Sequence, residues 1–298
     1  MSKTTPSAVP KRPPSLDGLV DRIGEISTLP DVLAAVLEAF EDPNASAGRL
    51  TQVVSSDPAL AVRVLRRVNS AQYALRSRLT TIQQAIAYLG MQKLRDLAVT
   101  ASVSQVFVQD ETVGPYSRRR LWQHMVAVAV CARLVATKLQ IPQFETAFLA
   151  GLLHDMGIIL EDQHVHPLFQ RVIQSIRAGR RLTDAEQQWL GFDHTTLGHR
   201  VADKWRFPPV IRAAIRFHHM SANYREPDAD LVRCVEVANK ICSCKLLPSV
   251  GKDLLGSGKA AFRALEIRKK DLIALLADFK QELQREQSLF EMYRDPAP

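Results

Sequence analysis

Apolar residues recur three and four positions apart through most of the chain, the spacing that sets them on one face of an α-helix. Asp31 to Phe40 places Val32, Val36, Leu37 and Phe40 on one face, between Pro30 and Pro43. Ser46 is positioned to cap a helix over 47–54, and Asp57-Pro58 is an N-cap with proline at the first helical position. The stripe that follows is Leu60, Val64, Leu65 and Val68. Thr81 opens a helix carrying Ile82, Ile86 and Leu89, with Gly90 as its stop. Leu94 to Val108 reads as one amphipathic helix, and Gly114-Pro115 breaks the pattern at a subdomain boundary near 110–116.

The second half continues in the same manner. Helices are predicted over Arg118–Leu139, Phe144–His154, Thr183–Leu190, His194–Trp205, Pro209–His218, Asp228–Ile241 and Lys269–Met292. Thr183 stands as a cap, with Glu186 at the capping-box position. The final helix carries Leu272, Leu275, Leu276, Phe279, Leu283 and Phe290, a stripe expected to pack back on the domain. No segment alternates with period two convincingly, so the fold class is all-α: a multi-helix bundle with an N-terminal helical subdomain (15–112) packed on a helical core (116–225). An extension (226–298) follows, and residues 1–14 form a basic, proline-rich tail expected to be disordered.

Composition adds bounds. The 298 residues are 46% hydrophobic and 23% charged, which excludes a fibrous or wholly disordered chain. The net charge of +8 is compatible with an anionic partner but does not specify one. Arg63, Arg66 and Arg67, then Arg118 to Arg120, then Arg177, Arg180 and Arg181 form basic clusters read as solvated helix faces. With 6% aromatic residues and no nucleic-acid motif, nucleic acid is not the expected partner. Four cysteines without framework spacing, no apolar run of membrane length and no secretion signal lead to the expectation of a cytoplasmic protein with reduced thiols.

The candidate chemistry lies in histidine. His124, His154, His194, His218 and His219 fall near helix ends or on apolar helices, with Asp155 beside His154 and Asn239 on a later helix. Imidazole nitrogen with carboxylate oxygen suits Fe, Mn, Ni or Zn, and bundle cores build metal sites from ligands on several helices. Spacing alone does not establish convergence. The His154-Asp155 pair carries most weight, because an ionisable pair directly after the apolar run 148–153 is costly to bury unsatisfied. Its structural alternative is that Asp155 orients His154 and caps the next turn.

These residues resemble a known family. GLLHDMG is similar to the signature of the HD superfamily of metal-dependent phosphohydrolases. TLPDV, EDPNAS, SSDPALAVRVLRRVNSA, TTIQQAIAYLG, LWQHMVAVA, GFDHTTLGHRVADKW and IRFHH resemble its offshoot, the HDOD domain (HD-related output domain), over roughly 20–225. The resemblance implies metal ligands at His124, His154, Asp155 and Asn239, and a second-metal or pocket role for His194, His218 and His219. Two positions depart from the pattern: Asn239 stands where the superfamily has a carboxylate, and Ile158 where it has a lysine. Each loses charge that metal or phosphate binding would use. The expectation is therefore a bacterial signal-transduction output protein that works through contacts with signalling partners. Its metal site is degenerate, holding no metal or a weakly bound divalent transition metal. No catalytic residue is assigned; if the site were active, Asp155 would carry the reaction. The alternatives are a phosphohydrolase acting on a nucleotide or cyclic dinucleotide, and a sensor that uses the same cleft without turnover.

Overall fold

Helix starts fall where the capping residues stand. Ser46 Oγ accepts from Arg49 N, Asp57 accepts from Ala59 N and Leu60 N ahead of Pro58, and Thr81 with Gln84 closes a reciprocal capping box. Gly90 ends that helix with φ +83°, a left-handed angle that favours glycine. A computed structural model describes residues 15–26, 33–38, 46–107, 110–142, 144–176, 180–245, 247–250 and 258–294. The expected tail at 1–14, the ends of the 31–40 helix, and Arg177 lie outside the described residues.

In chain order the helices are α1 (Leu16–Ile26), α2 (33–38), α3 (Ala47–Ser55), α4 (Pro58–Val68), α5 (Ile82–Leu89) and α6 (Met91–Ser104). A two-residue hairpin follows, β1 (Thr112–Val113) antiparallel to β2 (Tyr116–Ser117), with Val113 opposite Tyr116. Then come α7 (Arg118–Lys138), α8 (Phe144–Leu153), α9 (Met156–His164), α10 (His166–Gln174), α11 (Leu182–Leu190), α12 (His194–Lys204), α13 (Pro209–Phe217) and α14 (Ala229–Lys245). The chain closes with α15 (Lys259–Ala264), α16 (Lys269–Arg285) and α17 (Gln287–Glu291). Helices α3 to α6 pack on one another as a first lobe. The second lobe is built around α7, which is buried along most of its length and packs against α8 and α14.

Three expectations change. The Leu94–Val108 helix starts earlier and ends at Ser104, passing into a 3₁₀ turn over Gln105–Phe107. The Gly114-Pro115 break is the turn of the hairpin, with Gly114 at φ +54°. The last long helix is interrupted at Glu286, whose carboxylate is drawn into a tertiary cluster. There Glu286 pairs with Lys93 of α6 and, at 2.9 Å, with Arg133 of α7, and Arg133 also pairs with the buried Asp96. Trp122 Nε1 donates to Phe290 O at 3.1 Å, so α17 is held on α7. Leu275 and Phe279 of α16 are buried, as the apolar stripe predicts.

Two glycines bring the site's backbone together. A Cβ on Gly151 would lie 2.8 Å from Ala129 Cα, so its absence lets α8 approach α7. A Cβ on Gly157 would lie 1.9 Å from the carbonyl oxygen of His194, so only glycine lets α9 press against the start of α12.

Candidate metal centre

His124 projects from the middle of α7, fully buried, and its Nδ1 faces Leu247 O at 2.6 Å. His154 and Asp155 form the turn between α8 and α9, and His154 Nδ1 faces Gly151 O at 2.7 Å. His194 is the first residue of α12, and both its backbone N and its Nδ1 are held by Glu186 of α11, at 3.0 and 2.7 Å. His218 caps the end of α13, with Nδ1 3.0 Å from Ile215 O. In these four imidazoles Nδ1 faces an acceptor and donates its proton there, which turns Nε2 inward.

The inward atoms meet at Asp155. Its Oδ2 lies 3.5 Å from His124 Nε2 and 3.3 Å from His154 Nε2; its Oδ1 lies 3.6 Å from His194 Nε2 and 3.2 Å from His218 Nε2. His219 Nε2 is 3.1 Å from both His194 Nε2 and His218 Nε2. Two overlapping ligand sets result, His124–His154–Asp155 and Asp155–His194–His218–His219, each with donor atoms within 4.8 Å of one another. Donors bound to one Zn-like ion at about 2.0–2.2 Å sit roughly 3.0–3.5 Å apart, which is close to the spacing seen here. The structure thus brings six of the seven sequence candidates together.

Electrostatics favour a cation at the centre. Burial, with the neighbouring imidazoles, pushes His124 and His218 down to about 4, so at neutral pH their contacts with Asp155 are not ion pairs. His219 is pushed well below its usual range by burial and by His218 and His194. Burial pushes the Asp155 carboxyl up, but His154 and His218 outweigh it and hold the group well below the carboxylate range. Asp155 is therefore an anion in contact with the Nε2 atoms of four buried imidazoles. His124 Nε2, His154 Nε2 and Asp155 Oδ1 are buried with no hydrogen-bond partner among the described residues. Orphaned acceptors of this kind are expensive to bury unless a donor or a cation satisfies them. His194 is the exception: burial lowers it, but the charge and hydrogen bond of Glu186 raise it to about 9. Its proton can serve only one of the neighbouring nitrogens. The cluster could hold a metal ion, and its imidazole and carboxylate donors suit a divalent transition metal.

The remaining candidate, Asn239, is buried on α14, where its Oδ1 accepts from Ser243 Oγ at 3.1 Å. Ile158 is buried in the apolar core and brings no charge to the site. The capping alternative for Asp155 does not hold, because its side chain makes no cap bond to α9. The Thr183 and Glu186 expectation is also corrected. Helix α11 starts at Leu182 without a side-chain cap, and Glu186 is spent on His194. Beneath Glu186 lies Glu161, fully buried, whose carboxyl is raised well above its usual range by burial and by Glu186 and Asp193.

A cleft reaches the cluster at His219. Its volume is about 220 Å³, and it is lined by Arg181, Thr183, Gln187, Thr195, Arg216 and His219 among others. His219, partly exposed, forms its inner wall, whereas His124 and His154 are fully buried. Arg216 Nη1 donates to Thr195 Oγ1 at 2.7 Å. Arg181 on the same wall is paired with Asp184 at 2.7 Å. Sequence reasoning did not assign Arg216, Glu161 or the Leu247 carbonyl to the site, and had Glu186 in another role. Only the Glu186–His194 proximity in sequence offered a signal.

Comparison with known proteins agrees with this architecture. The family model of the HDOD domain matches residues 26–221. An uncharacterised protein of Treponema pallidum is 26% identical over 225 residues, 74% of this chain and 43% of that protein, so the chain spans less than half of that relative's length. A crystal structure of an HDOD domain protein of unknown function from Geobacter sulfurreducens superposes with a TM-score of 0.74 at 23% identity, covering 92% of this chain and 97% of that one. A Marinobacter aquaeolei protein named for a signal-transduction role gives 0.77 at 23% identity, over 94% of this chain and 65% of its own. At these identities the solved structures establish the shared fold.

Proposed function

The chain belongs to the HDOD family, and from that premise we propose that it is a signalling output protein that acts by contact. In this reading its HD-like core carries a transition metal for architecture or ligand sensing rather than for rapid hydrolysis. One observation carries the proposal: the imidazole shell around Asp155 is intact, while the lysine that the resemblance places at 158 for phosphate and the carboxylate it places at 239 for metal are replaced by Ile158 and Asn239. His124, His154, Asp155, His194, His218 and His219 would hold the ion or ions, with the two Asp155 oxygens serving the two halves. Fe, Mn, Ni and Zn all match the donor set. A cytoplasmic setting and a separate signalling partner belong to the same proposal.

The cleft supports a second reading, a metal-dependent phosphohydrolase or a nucleotide sensor. It leads from solvent to His219, and Arg216 on its wall could receive an oxyanion. An ion held at Asp155 would supply Lewis-acid chemistry there. The test is turnover. The metal-loaded full chain is assayed against a panel of nucleotides and cyclic dinucleotides, beside Asp155→Ala. The contact reading predicts no turnover above the Asp155→Ala background. Multiple turnovers abolished by Asp155→Ala would establish the enzyme instead.

A further inference from the structure

The second surface of interest lies on the first lobe, away from the histidines. Between Pro58 and Arg95 the chain carries seven basic residues and no acidic one, so seven of the eight net positive charges come from this stretch. Part of that charge is already used. Arg67 pairs with Glu291 at 2.8 Å, and Lys93 pairs with Glu286. Among the described residues no carboxylate lies within ion-pair distance of Arg76 or Arg78, both exposed on the loop after α4.

Beside these arginines runs a groove of about 390 Å³, lined by Val62, Leu65, Arg66, Asn69, Arg78 and Leu79 with Thr80. Its floor is aliphatic and its edges are basic. Val62 is 45% exposed, on the face of α4 opposite its buried Leu60, Val64 and Val68. The groove is built rather than accidental. Asn69 Nδ2 donates to Leu65 O at 2.7 Å and to Leu79 O at 2.8 Å, and its Oδ1 accepts from Leu79 N at 2.8 Å. One side chain thus fixes the loop against the end of α4, which lowers the ordering cost of binding.

The same lobe shows how it holds a helix. Helix α17 lies against it with Glu286 and Glu291 on Lys93 and Arg67, with Ser288 Oγ 3.2 Å from Tyr73 Oη, and with Leu289 buried. The pattern is acid to basic rim and apolar side chain inward. The groove at Val62 offers that chemistry a second time.

We propose that the groove formed by α4 and the 75–80 loop docks an acidic amphipathic helix of a partner protein, with apolar anchors on Val62, Leu65 and Leu79 and a carboxylate toward Arg78. This names the partner class for the contact-mediated output proposed above and rests on that reading. A protein is favoured over RNA because the lining contains no aromatic ring on which bases could stack.

A display library of random peptides about 16 residues long, enough for roughly four helical turns, is selected on the full chain. The leading peptide is then titrated against wild type, Arg78→Glu and Val62→Asp, with thermal melting to confirm that each variant is folded. A single-stranded RNA is titrated in parallel. We expect enriched peptides to carry Asp or Glu among apolar residues at helical spacing, and the leading peptide to lose at least about tenfold in affinity with either variant. No enrichment, enrichment without acidic residues, or tighter binding of the RNA would each overturn the proposal. A leading peptide indifferent to both variants would overturn the groove while leaving output by contact elsewhere on the surface standing.

Discussion

The Asp96–Arg133–Glu286 cluster and the Asp155 cluster are both buried, yet the first contains its own cations and the second consists almost wholly of acceptors. In the first, two carboxylates face Arg133 and Lys93, and Asp96 Oδ1 is the one carboxylate oxygen left without a hydrogen-bond partner among the described residues. In the second, four imidazoles are fixed through Nδ1 so that their Nε2 atoms converge on a carboxylate, and Glu186 holds an extra proton on His194. The first cluster joins α6, α7 and the start of α17 and draws its cations from within the chain. The second has the donor set to hold a cation from outside the chain.

The largest expected effect comes from breaking the first cluster. Arg133→Met leaves Asp96 buried without its partner and also removes the guanidinium from the Phe148 ring. Urea unfolding should show a loss of about 3–5 kcal/mol, the usual cost of orphaning a buried charge. Metal content should not change, because Arg133 is not a ligand. A loss of metal without a loss of stability would reverse the roles assigned to the two clusters.

Next comes Gly157→Ala, which acts on the second cluster through backbone alone. The new methyl group collides with the His194 carbonyl oxygen, so α9 and α12 must separate. Overpacking of this kind costs about 1–3 kcal/mol. Metal affinity should fall as well, because His194 is displaced from Asp155. Stability loss with unchanged metal affinity would show that His194 is not needed for the ion.

The third effect is absent near pH 4 and grows only with pH. Glu161 is held protonated in the folded protein, raised above its unfolded value by burial and by the carboxylates beside it. Its favourable contribution is therefore fully present below the unfolded glutamate value and lost as pH rises toward the folded one. Glu161→Gln keeps the shape and cannot ionise. Wild type and variant should match near pH 4. Above that the variant should gain on wild type by up to about 1.4 kcal/mol per pH unit, read from denaturation midpoints. Parallel curves from pH 4 to 8 would mean that Glu161 is ionised in the fold.

How much of this was readable in the chain depends on the range of the interactions. Ser46, Asp57-Pro58, Thr81 with Gln84, and Gly90 act within a turn of themselves, and each helix boundary they imply is where the structure has it. The break at Glu286 was not readable, because the ion pairs that hold it come from residues 93 and 133. Glu186 was misread for the same reason. A glutamate three residues after a threonine fits a capping box locally, but the imidazole eight residues on makes the stronger demand. The two-residue strands at 112–117 are too short for any periodicity to register. Of the site, histidine and aspartate identities were visible, whereas their convergence depended on Gly151 and Gly157 and on a carbonyl at Leu247, over a hundred residues from His124.

The central claim is that the Asp155 cluster is completed by a metal cation. The most direct measurement is elemental analysis of the full chain, purified without chelator and reconstituted with Fe, Mn, Ni or Zn, alongside His154→Ala. The account predicts at least one divalent ion per wild-type chain after reconstitution, and a marked loss from the variant while it remains folded. Wild-type protein that takes up no stoichiometric metal from any of the four would contradict it.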